Sequence, residues 1–113
     1  MMQITYCLST WAKLKGLIGK KELGQEAYYV FANCAVIHTF GMRFNIDVVF
    51  CNKRGDILKY YRQLPPNRLV FVTKAFFTIE FASNHLLSAE QLKIIVENCL
   101  NIKKSAQTRY RWI

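Results

Sequence analysis

The sequence lacks most of the signatures by which a short chain reveals its chemistry. No run of about 18 or more apolar residues is present, so we expect no membrane-spanning helix. The N-terminus has no basic segment followed by an apolar one, so no secretory signal is visible and we expect a cytoplasmic protein. The glycine-flanked serine of hydrolases, the phosphate-binding loop and the paired histidines of zinc enzymes are also missing. We therefore expect no metal and no cofactor.

Cysteine pairs at metal-binding spacing are missing as well. The four cysteines are Cys7, Cys34, Cys51 and Cys99, and no two of them form a Cys-x-x-Cys motif. Zinc sites usually take two ligands from one tight turn. Each cysteine stands in an apolar stretch, which favours buried reduced thiols.

Apolar and basic residues are abundant. A chain of 113 residues with 52% hydrophobic content is long enough for one well-packed domain, which we expect to span residues 1–113. It carries 16 Lys and Arg against 7 Asp and Glu, a formal net charge of +9. Such a balance suits an anionic partner, namely nucleic acid, an acidic protein or a membrane surface, although a solvated basic face has the same composition.

Hydrophobic periodicity predicts an α+β domain that is mostly β. Strand-like runs lie at residues 3–8, 27–31, 33–37, 46–51, 57–63, 69–73 and 75–82. A short N-terminal helix is expected at 11–15, and a capping box formed by Ser88 and Gln91 begins an amphipathic helix at 88–101. The basic tail, 103–113, forms either an end strand or a loose arm. These elements predict a curled antiparallel sheet, a barrel or a sandwich.

The segment 36–51 concentrates the chemically versatile side chains around one glycine. If strands 33–37 and 46–51 pair as antiparallel neighbours, the intervening loop brings His38 close to Asp47. An aspartate in that position could hold one imidazole nitrogen while the other faces a ligand. Arg43 could bind a carboxylate or phosphate. The same His–Asp contact would also serve merely to hold the loop closed.

Two acids interrupt otherwise apolar strands. Asp47 and Glu80 must either point to water or find a partner, because an unpaired buried carboxylate is very costly. We expect both on one face of the sheet, near Arg43 and Lys15, as a semi-buried polar cluster. Arg43 would then bridge to one of the two carboxylates.

Two sequence blocks carry a family resemblance. They are Lys15-Gly16-Leu17-Ile18-Gly19-Lys20 and the stretch from Val36 to Phe50 that contains His-Thr-Phe-Gly-Met-Arg, followed by Leu64-Pro65-Pro66 and Ile79-Glu80-Phe81. Over residues 5–83 the chain resembles the family of Domain of Unknown Function 192, whose members are small, mostly β domains, often secreted in bacteria, with no agreed activity. The resemblance and the residue types together give the candidate ligand-binding residues His38, Thr39, Met42, Arg43, Asp47, Glu80 and Lys15.

The chain departs from that family's pattern in several places. Lys15 stands where the family has arginine, Ile18 where it has methionine and Asn45 where it has proline, and the glycine-rich ending after Glu80 is replaced by a helix and a basic tail. A site that needs a guanidinium at position 15 would be weakened, because lysine cannot form the same bidentate contact.

Three functions fit these observations. The first is a non-enzymatic binding or accessory domain with a polar site around His38, taking an anionic small molecule or an acidic protein. The second is an enzyme in which the Asp47–His38 pair performs acid–base chemistry on a small anionic substrate held by Arg43. The third is a basic module that binds nucleic acid or an acidic protein through the tail.

Overall fold

A computed structural model describes residues 2–7, 23–24, 26–82, 87–100 and 108–112. The predicted helix at 11–15, and Lys15 with it, lies outside the described residues. The described elements, in chain order, are β1 (Met2–Cys7), β2 (Ala27–Ala32), β3 (Val36–His38), β4 (Ile46–Cys51), β5 (Ile57–Leu64), β6 (Leu69–Phe71), β7 (Phe77–Ala82), α1 (Ala89–Leu100) and β8 (Thr108–Trp112). The mostly-β class with a C-terminal helix is confirmed.

The strands form two sheets. The larger has the order β5-β4-β7-β2-β1-β8, and the smaller consists of β3 and β6 alone. Strands β2, β7, β4 and β5 pair antiparallel, as predicted, but β1 runs parallel to both β2 and β8, so the larger sheet is mixed. Strands β5 and β8 lie at opposite ends of the larger sheet, which, within the described residues, is not closed into a barrel. The basic tail contributes β8, so the first alternative for it, an end strand, is the correct one.

The expected pairing of β3 with β4, its neighbour in sequence, is absent. Strand β3 pairs antiparallel with β6, while β4 lies between β5 and β7. Both sides of β4 are therefore already occupied by longer strands, each of which offers more backbone hydrogen bonds than the three residues of β3 can. The expected contact between His38 and Asp47 depended on a β3–β4 pair, so the structure removes the reason to place these two residues together.

Each face of the six-stranded sheet carries its own apolar cluster. One face packs against α1 through residues that include Val49, Ile79 and Phe81. The opposite face packs Val48 and Phe50 against the small sheet and the segment that follows it. Strand β4 is covered on both sides, which explains why all six of its residues are buried. The buried thiols of Cys51 and Cys99 belong to the cluster on the α1 side. Cys7 is buried in a smaller cluster with Phe31, and Cys34 is half-buried at its edge.

Helix α1 begins as its sequence predicts. The Ser88 N–H donates to Gln91 Oε1 at 2.9 Å and the Gln91 N–H donates to Ser88 Oγ at 3.1 Å, which confirms the capping box. Its buried face consists of Leu92, Ile95, Val96 and Cys99. The Tyr6 hydroxyl donates to the Cys99 carbonyl at 2.7 Å and joins the helix to β1. No helix in the described parts of the chain is both long and apolar enough to cross a membrane.

Candidate functional site

Thr39 fixes the segment that follows β3. Its side chain is fully buried, and Oγ1 accepts from the Arg68 N–H at 2.8 Å while donating to the Pro65 carbonyl at 2.7 Å. The Thr39 N–H donates to the Arg68 carbonyl, and the Asn67 N–H donates to the Thr39 carbonyl. Thr39 therefore forms four hydrogen bonds that hold the end of β3 against segment 65–68.

A tight turn follows at Phe40 and Gly41. The Met42 N–H donates to the Thr39 carbonyl at 3.2 Å, and Gly41 has a φ of 79°. A left-handed conformation of this kind is strained for most residues with a side chain, so glycine is favoured at this position. The turn directs Met42 inward, where it is 7% exposed within the cluster that includes Val48.

His38 lies on the outer face of the small sheet. Its neighbour Ile37 points into the core, and alternation along the strand places the imidazole on the other side. The ring stacks on Phe40 with centroids 5.5 Å apart and an interplanar angle of 21°. Its Nδ1 atom is buried and, within the described residues, has no hydrogen-bond partner. Native structures rarely leave a buried polar atom unpaired without a functional or structural reason.

Arg43 follows the turn and is exposed. In the part of the chain that the structure describes, its guanidinium forms no ion pair and no hydrogen bond. The predicted bridge from Arg43 to Asp47 or Glu80 is therefore wrong, and the guanidinium stays available to an external anion. Among the described residues, the 38–43 loop thus contains an imidazole nitrogen without a hydrogen-bond partner and an exposed guanidinium without an ion pair.

Asp47 has a different role from the predicted one. The carboxylate is 1% exposed, and Oδ1 accepts from the Gln63 N–H at 3.0 Å while Oδ2 accepts from the Tyr60 hydroxyl. Gln63 has a φ of 54° at an irregularity in the β4–β5 ladder, where the register shifts between Ile46 and Val48. A bulge leaves a backbone N–H outside the ladder, and the Asp47 carboxylate provides its acceptor.

The contact with Asp47 also affects the pKa of the Tyr60 hydroxyl. Burial, followed by the hydrogen bond to Asp47, raises the pKa of Tyr60 to about 12. The phenol therefore stays protonated across the physiological range and can donate to the carboxylate. Asp47 and Tyr60 form a structural pair across β4 and β5.

The predicted His38–Asp47 contact does not form. Asp47 lies on the face of the sheet that packs against α1, since Val49 and Cys51, two and four residues further on, belong to that cluster. His38 lies in the small sheet on the opposite side. The six-stranded sheet separates the two side chains, and the proposed acid–base pair is absent from this structure.

Glu80 lies on the other face from Asp47. It is opposite Val48 on one neighbouring strand and Tyr29 on the other, and Val48 belongs to the cluster beneath the small sheet. The prediction that both acids share one face is therefore wrong. The Glu80 side chain is 5% exposed, and burial raises the pKa of this carboxyl to about 8. Glu80 is thus mostly protonated at neutral pH, which removes most of the cost of burying it.

Comparison with known proteins identifies the family. The family model of Domain of Unknown Function 192, described as an uncharacterized ACR, matches residues 1–97. The chain belongs to this family. The match extends beyond the 5–83 region that the motifs suggest and includes most of α1. No curated protein matches the chain.

Two solved structures share the fold. A protein of unknown function from Novosphingobium aromaticivorans DSM 12444 is 15% identical with a TM-score of 0.64, covering 71% of this chain and 63% of its own. A candidate transcription regulator from Sinorhizobium meliloti 1021 is 10% identical with a TM-score of 0.65, covering 71% of this chain and 67% of its own. At these identities the likeness concerns the fold. The chain spans about two thirds of the length of either protein.

The structure brings together only some of the seven candidate ligand-binding residues. His38, Thr39, Met42 and Arg43 are brought together by one loop. Asp47 and Glu80 lie on opposite faces of the large sheet, and Lys15 lies outside the described residues. Of the loop residues, Thr39 and Met42 are buried in contacts within the fold. His38, whose Nδ1 has no described partner, and the exposed Arg43 are therefore the two on which a binding proposal can be built.

The structure also contains a concave surface that the sequence does not predict. A groove of about 640 Å³ lies between the β4–β5 hairpin and α1, and none of the candidate ligand-binding residues lines it. Its charged lining is balanced, with Arg54 and Lys93 against Asp56 and Glu97. No local motif marks such a groove, because its two walls lie more than thirty residues apart in sequence. In the described residues no group of His, Cys, Asp or Glu is arranged to hold a metal ion.

Proposed function

We propose that this protein is a non-enzymatic binding or accessory domain and that its 38–43 loop binds a small anionic ligand. One observation carries the proposal, namely the buried, unsatisfied Nδ1 of His38. A ligand that supplied a hydrogen bond there would remove a cost that the free protein bears.

The exposed guanidinium of Arg43 supports the anionic character of the ligand. Arginine binds carboxylates and phosphates with two parallel hydrogen bonds, and this one has no competing partner among the described residues. The net charge of +9 would also attract an anion to the surface.

The proposal is tested by NMR of the imidazole nitrogens. The sequence contains only two histidines, so a His85→Asn variant assigns the His38 signals. Inorganic phosphate and citrate are titrated into the full chain at constant ionic strength. We expect saturable shifts of the His38 nitrogens that are lost in Arg43→Gln and retained in Arg54→Gln, a charge-matched control on the β4–β5 hairpin. Shifts absent with both anions, or equal in the two variants, would contradict the proposal.

A second candidate function concerns β8. This edge strand contains Arg109 and Arg111 within a tail, residues 103–113, that has no acid. These residues favour a basic module for nucleic acid or an acidic protein. Deleting the tail would remove a strand of the sheet, so the double variant Arg109→Gln/Arg111→Gln is the cleaner test. With a mixed-sequence DNA duplex, the slope of log K against log salt should flatten by about two units. An unchanged affinity and slope would remove this candidate.

A further inference from the structure

The outer face of the small sheet is exposed to solvent but carries apolar side chains. Val36 is paired with Phe71 and His38 with Leu69, and alternation along each strand places these side chains on the side away from the core. Three of them are large and exposed, at 47% for Val36, 67% for Leu69 and 62% for Phe71. Phe40, which stacks on His38, is 48% exposed. We call Val36, Phe40, Leu69 and Phe71 the apolar face.

None of these four side chains belongs to the hydrophobic core. The inward residues Ile37 and Val70 already pack on the cluster beneath the small sheet. An antiparallel pair with one buried face normally has polar residues on the other. Contiguous exposed apolar residues of this kind mark an interaction surface.

The segments that carry the apolar face contain bases and no acids. They are residues 33–45 and 66–76, which contain Arg43, Arg68 and Lys74 but no Asp or Glu. Arg68 directly precedes β6, Lys74 lies in the turn after it, and both are exposed. The cations therefore stand at both ends of the small sheet.

We propose that the apolar face docks on the surface of an anionic phospholipid bilayer. The four side chains would enter the boundary between headgroups and acyl chains while the arginines and lysine contact lipid phosphates. Binding of this kind needs both apolar insertion and electrostatic attraction, and this surface offers both.

Side-chain composition favours a bilayer over a protein partner. Protein interfaces derive most of their affinity from Trp, Tyr and Arg anchors, and Leu and Val are under-represented among them. The apolar face has only Val, Leu and Phe, which carry no hydrogen-bonding group and suit hydrocarbon. The proposal goes beyond the anion site of the 38–43 loop. The two proposals share the loop residues Phe40 and Arg43, but bilayer docking also needs the exposed side chains of β6 and the cations that flank it.

The test is co-sedimentation of the full chain with vesicles of phosphatidylcholine alone or with one quarter phosphatidylserine, at about 0.1 M salt. We expect binding to the anionic vesicles and at least tenfold weaker binding to the neutral ones. Leu69→Ser/Phe71→Ser should weaken anionic binding at least tenfold. The matched control Ile57→Ser/Leu58→Ser alters residues of β5 that are 38% and 39% exposed and should bind as the wild type does.

The charged rim is tested separately. Arg68→Gln/Lys74→Gln should weaken binding to anionic vesicles by tenfold or more, as should an increase to about 0.5 M salt, whereas the control Arg54→Gln/Lys93→Gln should change it less. Because these substitutions are at exposed positions, near-native circular dichroism and unfolding midpoints should confirm that all variants fold.

Three results would overturn the proposal. They are no binding of the wild type to anionic vesicles, equal binding of Leu69→Ser/Phe71→Ser and its control, or a dimer that dissociates in that double variant while vesicles are ignored. The last result would assign the apolar face to a second copy of the chain. The anion proposal is tested independently, since Leu69→Ser/Phe71→Ser should keep the phosphate-induced shifts of His38.

Discussion

Replacing Asp47 should destabilise the protein through the bulge rather than through any loss of binding. Asp47→Ala leaves the Gln63 N–H and the Tyr60 hydroxyl without their acceptor. A hydrogen bond to a charged group contributes about 1.5–3 kcal/mol, and both donors lie where water can partly replace the carboxylate. We therefore expect a loss of about 3 kcal/mol in the free energy of unfolding. That is a large share of the roughly 5–15 kcal/mol typical of such domains.

A double-mutant cycle isolates the side-chain pair. Asp47→Asn retains an acceptor for the Gln63 N–H but loses the charge, and Tyr60→Phe removes the hydroxyl while keeping the ring. The two substitutions should be non-additive by about 1–2 kcal/mol, because each one removes the same hydrogen bond. Urea unfolding followed by circular dichroism at pH 7 measures all four proteins.

The control for this series is Glu97→Gln, which removes an exposed carboxylate from α1. It should change stability by no more than about 0.5 kcal/mol. The account of Asp47 is refuted if Asp47→Ala costs as little as this control, or if the coupling energy with Tyr60 is indistinguishable from zero.

Three further predictions concern single positions. The pKa of Glu80, about 8 in the folded protein against an ordinary value of 4.5, means that the folded state keeps a proton that the unfolded state releases. The free energy of unfolding should therefore fall as pH rises from about 4.5 to 8. In urea unfolding at several pH values, Glu80→Gln should abolish most of that slope. A wild-type free energy of unfolding that is constant over this range would contradict the prediction. Thr39→Val removes the hydroxyl that bonds Arg68 and should cost about 2 kcal/mol, whereas an unchanged unfolding midpoint would show that the loop is held otherwise. Gly55→Ala should lower the thermal midpoint by several degrees, because φ is 89° and the new Cβ would lie 3.2 Å from Leu100 Cδ1; a higher midpoint would show that the hairpin relaxes.

The parts of the fold that depend on local sequence were predictable. The capping box at Ser88 and the buried stripe of α1 follow from hydrogen bonding and helical period. Strand β4 was predictable at 46–51 from its mostly apolar residues, and all six of its residues are buried in spite of the acid that interrupts them.

Long-range pairing was not predictable in the same way. Strand β3 has only three residues, and its partner β6 lies about thirty residues further along the chain, beyond the reach of any local pattern. Because β3 was assigned to the wrong neighbour, His38 and Asp47 were placed together. The contact between Asp47 and the Gln63 N–H depends on a one-residue irregularity in β5, and nothing in the composition of that strand marks it. The opposite faces of Asp47 and Glu80 follow from register, which a single sequence does not specify.

The apolar face was also not predictable, because it too depends on long-range pairing. Each of its side chains looks like an ordinary strand residue in sequence, since Val, Leu and Phe favour strands whether buried or exposed. Only the pairing of Val36 with Phe71 shows that these residues share one face, and only their exposure shows that the core leaves them uncovered.

The His38→Phe variant tests most directly whether the 38–43 loop exists for binding rather than for folding. Phenylalanine keeps the stacking on Phe40 but removes the buried Nδ1 that lacks a described partner. Urea unfolding in the absence of ligand, paired with phosphate and citrate titrations followed by backbone NMR, gives both quantities on one protein. We predict a protein as stable as the wild type or more stable by about 1–2 kcal/mol, with anion binding lost. A variant that unfolds more easily and binds phosphate and citrate as the wild type does would contradict the account.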